Sequence, residues 1–134
     1  MPPRDVVNAM YTAFAEKDEA RLRVLLATDV EWEQMRGMPG GAHRHGVEEV
    51  IRDVLRGLNT IWNEFQVHLE NWIVDGESVV VTGRYTGVHA KTGRPLDAPF
   101  AHWYTVRGEQ VTRFVQFTDT AVFVNACRKP DAHL

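Results

Sequence analysis

The chain has 134 residues, of which 44% are hydrophobic and 25% are charged, and its formal net charge is -3. These values are typical of one globular domain with a single core, and the lack of a Lys/Arg cluster argues against a nucleic-acid partner. Cys127 is the one cysteine of the chain, which excludes an internal disulfide and a cysteine-based metal site. No segment has a signal-peptide pattern or the length of a membrane span, so we expect a cytoplasmic protein without a membrane partner.

The first half of the chain is predicted to be mainly helical. Apolar residues recur at helical spacing in three segments. The second of these follows Asp18, whose carboxylate is suited to cap a helix. The predicted elements are a helix at Val6–Lys17, a helix after Asp18 with Leu22, Leu25 and Leu26 as its apolar stripe, a strand at Val30–Met35, a loop at Arg36–Gly46 and a helix at Val47–Leu58.

After Asn59 the apolar residues alternate with polar ones, which is the period of a strand. Tight turns are predicted at Asp75-Gly76, Lys91–Pro95 and Arg107–Glu109. They separate predicted strands from Phe65 to Ile73 and at Val79–His89, Asp97–Val106 and Gln110–Thr118, and a short helix is predicted at Ala121–Ala126. Helices followed by strands indicate an α+β fold, with the helices packed on one face of a mostly antiparallel sheet.

The most informative segment is Phe100–Ala121, where two alternating runs meet at a turn. On a two-residue period, His102 shares one face of its strand with Phe100, Tyr104 and Val106. A histidine among large apolar side chains indicates either a lined cavity or a buried ring whose nitrogens are satisfied by neighbours. Both interpretations stay open from the residues alone.

Other residues are candidates to line such a cavity. Trp32 shares a strand face with Gln34, and Trp62 follows the third predicted helix. Phe114 and Gln116 share the inward face of the strand after His102. Gln116 in an apolar row needs a hydrogen-bond partner from protein, water or ligand, whereas the tryptophans could equally be core or interface residues.

The sequence also contains residues that could ligate a metal. His43 and His45 are metal-ligand residue types in a Gly-rich loop, and Glu33 or His89 could join them. Two histidines at this spacing in a loop are far more often solvent-facing, so we predict no bound metal. The sequence also has no Gly-rich phosphate loop and no CxxC motif, and we predict no organic cofactor.

The order of elements and three motifs resemble the nuclear transport factor 2-like superfamily, and within it the SnoaL-like and ketosteroid-isomerase-like branch. The motifs are AMYTAFAEKDEARLRVLLATDVEWE (Ala9–Glu33), GVEEVI (Gly46–Ile51) and FAHWYTVRGEQVTRFVQFTDTA (Phe100–Ala121). The resemblance covers nearly the whole chain and implies one SnoaL-like domain over residues 1–134. It implies a cone-shaped α+β barrel, in which a curved sheet wraps around the helices and leaves a deep, mostly apolar pocket.

The resemblance to ketosteroid isomerase does not extend to its chemistry. It puts Gln34 at the position of the isomerase base and His102 at that of its neutral, proton-donating aspartate. The oxyanion-hole tyrosine of the isomerase falls nearest Met10, with Tyr11 one residue away. A glutamine cannot abstract a proton near neutral pH, so steroid isomerisation is not predicted.

The resemblance to SnoaL-like polyketide cyclases is compatible with acid/base catalysis, unlike the resemblance to ketosteroid isomerase. In those proteins an aspartate near the end of the last strand acts as general acid and base, and Asp119 in QFTDT is the nearest match. Asp119 could instead cap the helix that follows. If His102 and Asp119 lie together, the carboxylate would orient the imidazole for proton transfer near neutral pH.

Two functions are therefore in competition. The first is a small-molecule enzyme of the isomerase, cyclase or dehydratase type that carries out acid/base chemistry on an apolar cyclic substrate, with His102 and Asp119 as catalytic residues. The second is a non-catalytic dimeric module that binds a hydrophobic small molecule. The predicted substrate-binding residues are Tyr11, Trp32, Gln34, Trp62, Tyr104, Phe114 and Gln116.

A homodimer is predicted through the outward face of the sheet. Trp72, Trp103, Val115 and Phe117 are expected to form an apolar patch there, larger than soluble monomers usually expose. The alternative is that a C-terminal segment covers this face within one chain.

Overall fold

The computed structural model describes residues 1–129. Its helices are α1 (Pro3–Ala15), α2 (Glu19–Leu25), α3 (Val47–Glu49), α4 (Arg56–Ile61) and α5 (Thr120–Cys127), with a π-helical segment, Val50–Leu55, between α3 and α4. Its strands are β1 (Leu26–Glu33), β2 (His43–His45), β3 (Trp62–Asp75), β4 (Ser78–His89), β5 (Pro95–Arg107) and β6 (Gln110–Thr118). No helix in these 129 residues is both long and apolar enough to cross a bilayer.

The strands of the described chain form one sheet in the order β2-β1-β6-β5-β4-β3. The meander from β3 to β6 is antiparallel throughout, whereas β1 pairs parallel to β6. This curved, mixed sheet around packed helices confirms the predicted α+β cone. The helices bury their apolar stripes against the concave face, where Val6, Met10, Leu22 and Ile51 are almost fully inaccessible to solvent.

Several element boundaries differ from the predicted ones, and three of the differences affect the site or its surroundings. The strand predicted at Val30 begins at Leu26, because Leu26 already has extended backbone angles after α2. The loop predicted at Arg36–Gly46 contains β2, a strand too short to produce an alternating pattern. The third helix continues beyond Leu58 to Ile61 and widens into the π-helical segment, a distortion frequent at functional sites.

The outer face of the sheet departs from the prediction at Trp72. A β-bulge between Leu69 and Asn71 shifts the alternation of β3 by one residue. Trp72 therefore turns inward, where its ring meets Tyr11 edge-on at 6.1 Å, and its place on the outer face passes to Ile73. The exposed apolar side chains of this patch are Ile73 (63% exposed), Trp103 (47%) and Phe117 (47%), and Val115 is buried beside them.

Candidate functional site

A cavity of about 1200 Å³ lies between the helices and the concave face of the sheet. It opens to solvent near exposed residues such as Lys17, Glu64 and Lys91. Its wall includes a group of aromatic rings, among which Trp32 and Phe114 stack with ring centroids 3.9 Å apart. The cavity brings together the following residues selected from the sequence: Tyr11, Trp32, Gln34, Trp62, His102, Tyr104, Phe114 and Gln116.

His102 is the centre of a buried hydrogen-bond network. Its Nδ1 atom lies 2.7 Å from the Tyr11 hydroxyl and 3.3 Å from the Tyr104 hydroxyl. Its Nε2 atom is hydrogen-bonded to the Tyr85 hydroxyl. Gln116 completes the network, since its Nε2 atom donates to Tyr85 at 3.0 Å.

The hydrogen bonds of Gln116 set the direction of this network. Its Oε1 atom accepts the backbone N–H of Met35 at 3.3 Å, so its amide nitrogen faces Tyr85 and donates to it. If Tyr85 then donates to His102, every group in this part of the network has a partner. With the opposite tautomer, the Tyr85 hydroxyl hydrogen would be buried without an acceptor among the described residues.

The favoured arrangement of hydrogen bonds leaves the hydroxyl hydrogen of Tyr11 available in the cavity. Tyr85 donates to Nε2 of His102, and the imidazole donates from Nδ1 to the Tyr11 oxygen. A neutral imidazole has one donor and one acceptor nitrogen, as this arrangement requires. The Tyr11 hydrogen is then free to bond to a molecule in the cavity, which Tyr11 lines.

Burial keeps all four rings of this network neutral. It lowers the pKa of His102 from 6.5 to about 3, because the imidazole lies in an apolar setting, 4.0 Å from Phe100 between ring centroids. Burial also raises the pKa values of Tyr85 and Tyr104 well above their usual range. For Tyr11 burial again raises the pKa and outweighs the opposing effect of a hydrogen bond from Tyr104.

The structure does not bring Asp119 to His102. Asp119 is exposed at the start of α5, where its carboxylate accepts the backbone N–H of Ala121 at 3.1 Å. It is absent from the lining of the cavity, and none of the hydrogen bonds of His102 among residues 1–129 involves it. The observed geometry is that of a helix cap, one of the two alternatives that the sequence left open.

Gln34 belongs to a second polar group of the cavity. Its Oε1 atom accepts a hydrogen bond from Nη1 of Arg44 at 2.8 Å. Arg44 also contacts Asp53, whose carboxylate is held by Arg52 with hydrogen bonds of 2.7 and 3.0 Å. Gln34, Arg44 and Asp53 all line the cavity.

His43 and His45 lie on the outer side of β2, away from the cavity lining. Both rings are hydrogen-bonded to the carboxylate of Glu31, through Nε2 of His43 and, at 2.7 Å, through Nδ1 of His45. These contacts lower the pKa of Glu31. No group of three or more ligand-type side chains in the described part of the chain has the geometry of a metal site.

Sequence reasoning missed two residues of the site. Tyr85 was detectable, because it shares an alternating inward row of β4 with Val79 and Val81. Arg44 was not detectable, because it lies in a three-residue strand inside a polar, Gly-rich segment. Its inward orientation depends on the pairing of β2 with β1, in which Arg44 is opposite Trp32.

Comparison with known proteins agrees with this architecture. Residues 7–114 match the SnoaL-like domain family. The chain therefore belongs to the SnoaL-like family, within the nuclear transport factor 2-like superfamily. No curated protein matches the chain.

Solved structures extend the similarity to nearly the whole chain. An NTF2-like protein from Burkholderia thailandensis is 29% identical, with a TM-score of 0.89 over 96% of this chain and 98% of that one. An NTF2-like protein from Burkholderia pseudomallei is 28% identical, with a TM-score of 0.84 over 92% and 95%. TerC, co-crystallised with polyporic acid, is 25% identical, with a TM-score of 0.83 over 94% and 98%.

Proposed function

We propose that this protein is a cofactor-independent enzyme of the isomerase, cyclase or dehydratase type, acting on an apolar cyclic substrate. Tyr11 is the residue that acts on the substrate, by donating its hydroxyl hydrogen to a carbonyl or enolate oxygen. One observation carries the proposal: the directed chain of hydrogen bonds from Gln116 through Tyr85 and His102 ends on Tyr11 at the cavity.

Such a chain is suited to stabilise negative charge that develops on oxygen. Donors that are already oriented in a water-poor site act strongly on a developing oxyanion, because they need no reorganisation during the reaction. Each hydrogen bond in a chain also polarises the next one. His102 is then a positioning residue, which keeps the Tyr11 oxygen occupied as an acceptor and its hydrogen directed to the ligand.

This proposal changes the roles inferred from the sequence. With a pKa of about 3, His102 stays neutral at physiological pH and does not supply a proton from an imidazolium. Asp119 serves as a helix cap and has no catalytic part in the proposal. The acid assistance that enolisation, aldol-type cyclisation and dehydration require comes from Tyr11 instead.

The substrate class follows from the lining of the cavity. Trp32, Phe114 and Trp62 provide flat apolar surfaces, and a volume of about 1200 Å³ admits a compound of several rings. A related protein, TerC, was co-crystallised with polyporic acid, which supports a ligand of small-molecule size here. Tyr104 and Gln116 would contact this ligand beside Tyr11 or hold the residues that do.

A second candidate function is a non-catalytic module that binds the same class of compound. It is favoured by Gln34, whose amide cannot abstract a proton, and by Asp53, whose carboxylate is bound by Arg44 and Arg52. In this alternative, the Tyr11 hydroxyl orients a ligand oxygen without a reaction. The two candidates differ in whether the bound ligand exchanges protons.

Proton exchange in 2-tetralone tests the proposal. Its α-protons exchange through an enolate, with water or buffer as the base, and the loss of their NMR signals in D₂O gives the rate. We expect the protein to accelerate this exchange, and Tyr11→Phe to lower the acceleration by about 100-fold, as loss of one oxyanion donor typically does. His102→Gln should also lower it, whereas His45→Gln on the outer face serves as a matched control and should not.

The outcomes separate the two functions. Binding of 2-tetralone without any acceleration of exchange would favour the binding module. Full acceleration in Tyr11→Phe would contradict the role assigned to Tyr11. Chemical shifts of the folded variants check that each retains the native structure.

We also propose that the protein forms a homodimer through the outward patch that contains Ile73, Trp103 and Phe117. These side chains are about half exposed or more. Trp103 and Phe117 lie on the adjacent strands β5 and β6, and Ile73 lies on β3, with β4 between it and β5. Burial of such a patch against a second copy would remove it from water. The cytoplasmic location expected from the sequence stays a prediction.

A further inference from the structure

The second polar group of the cavity has features that the proposed proton chemistry does not use. Gln34 directly follows β1 and comes two residues after Trp32, so both side chains face the same side of the sheet and line the cavity. Arg44 is opposite Trp32 in the pairing of β1 with β2, which places its side chain beside them. All three line the cavity.

Arg44 has donors to spare. A guanidinium has five N–H groups. Those of Arg44 are engaged by Gln34 at 2.8 Å, by the Gly40 carbonyl at 3.1 Å and by Asp53 at 3.4 Å. Two N–H groups therefore have no partner among the described residues, although the side chain is only 14% exposed.

The carboxylate nearest Arg44 is held mainly by another arginine. The Asp53 carboxylate makes its shorter hydrogen bonds to Arg52, at 2.7 and 3.0 Å. Asp53 therefore bonds mainly to Arg52, which does not line the cavity, and its contact with Arg44 is the longer one, at 3.4 Å. The same contacts lower the pKa of Asp53 to about 2, so that this arrangement of charges persists at any physiological pH.

Gln34 and Trp32 add further donors to this part of the cavity. Because Oε1 of Gln34 accepts from Arg44, the two amide hydrogens of Gln34 remain without a partner among the described residues. The indole N–H of Trp32 is buried and has no acceptor within the described chain. An excess of donors at one place in an apolar cavity calls for a ligand group that only accepts hydrogen bonds.

The backbone holds Arg44 in this position before any ligand arrives. The backbone N–H of Gln34 donates to the Ala42 carbonyl at 3.0 Å, which closes the loop that leads into β2. Gly41 lies so near Met35 that a Cβ atom built on it would be 1.8 Å from the Met35 carbonyl oxygen, so the loop requires glycine there. A donor group fixed in advance loses little entropy when it binds.

We propose that Arg44 and Gln34 form a carboxylate-binding subsite, so that the ligand of this cavity is a ring compound that carries a carboxylate. The planar guanidinium matches the two oxygens of a carboxylate, and the Gln34 amide adds a third donor. This inference rests on the proposed function, since it assumes that the rings of the ligand occupy the aromatic part of the cavity. Arg44 is then the residue that selects anionic over neutral ring compounds.

Two probes of equal shape test the subsite, 2-naphthoate and its neutral analogue 2-naphthamide, with binding measured by calorimetry. We expect the protein to bind 2-naphthoate at least about tenfold more tightly, which is the lower end of the effect of a hydrogen-bonded charge. Arg44→Met should abolish this preference and leave the affinity for 2-naphthamide unchanged. Arg84→Met, which removes an exposed arginine outside the cavity, is the matched control and should keep the preference.

The proposed subsite would be overturned if the unaltered protein bound 2-naphthoate and 2-naphthamide with equal affinity. It would also be overturned if Arg44→Met still bound 2-naphthoate more tightly than 2-naphthamide. If Arg44→Met does not fold, Arg44→Lys replaces it and should weaken the preference, because a lysine cannot bond both oxygens in a fixed plane. Equal affinities together with Tyr11-dependent exchange of 2-tetralone would contradict the subsite alone, whereas failure of both probes to bind would contradict the proposed function as well.

Discussion

The hydrogen-bond chain predicts that two substitutions of the same kind have unequal effects on stability. Tyr85→Phe and Tyr11→Phe each remove one hydroxyl group from a neighbour of His102. Tyr85 lies in the middle of the chain, where its oxygen contacts both His102 and Gln116. Tyr11 lies at the end of the chain and is only partly buried.

The expected magnitudes follow from the partners left behind. Without the Tyr85 hydroxyl, a buried N–H of Gln116 and the Nε2 atom of His102 both lose their partner. At about 1 to 3 kcal/mol for each of these two buried polar groups, the free energy of unfolding should fall by about 2 to 6 kcal/mol. Without the Tyr11 hydroxyl, Nδ1 of His102 can still donate to Tyr104, which is 3.3 Å away, and the loss should be about 1 kcal/mol.

Urea unfolding followed by tryptophan fluorescence measures both losses. For a chain of this length they correspond to melting temperatures lowered by about 7 to 20 °C for Tyr85→Phe and by about 3 to 5 °C for Tyr11→Phe. The donor-to-acceptor order assigned to the hydrogen bonds would be refuted if Tyr85→Phe were as stable as the unaltered protein. It would also be refuted if Tyr11→Phe lost more stability than Tyr85→Phe.

Three further predictions address the other parts of the molecule. Asp119→Ala should cost about 1 kcal/mol as a lost helix cap, Asp119→Asn should be nearly neutral, and both should retain 2-tetralone exchange; loss of exchange in both would make Asp119 catalytic. Burial lowers the pKa of His102 from 6.5 to about 3, so between these pH values the unfolded chain binds a proton on this residue that the folded protein does not. As the pH is lowered from 6.5 towards 3, the free energy of unfolding should therefore decrease by about 1.4 kcal/mol per pH unit more than in His102→Gln, and parallel pH profiles of the two proteins would contradict this. Trp103→Glu should shift the protein from dimer to monomer in sedimentation at micromolar concentration, and a 15.3 kDa monomer before substitution would disprove the dimer.

The inward face of the site could be predicted from the sequence because the alternation of side chains is a local property of a strand. His102 and Tyr104 are two residues apart, so they share a face wherever the strand packs. The same rule put Gln116 and Phe114 on the inner side of β6 and, had it been applied to β4, would have found Tyr85. The α+β architecture followed similarly from the order of helical and alternating segments.

The contacts that give the site its chemistry were decided by the tertiary structure. Tyr11 and His102 are 91 residues apart in the chain, and only the packing of α1 inside the cone brings their side chains to 2.7 Å. A bulge in β3 turned Trp72 inward against the simple alternation. Arg44 reaches the cavity because a three-residue strand pairs with β1, and Asp119 caps a helix rather than meeting His102 because β6 ends just before it. Periodicity determines which face a residue takes, whereas long-range packing determines which residue it meets there.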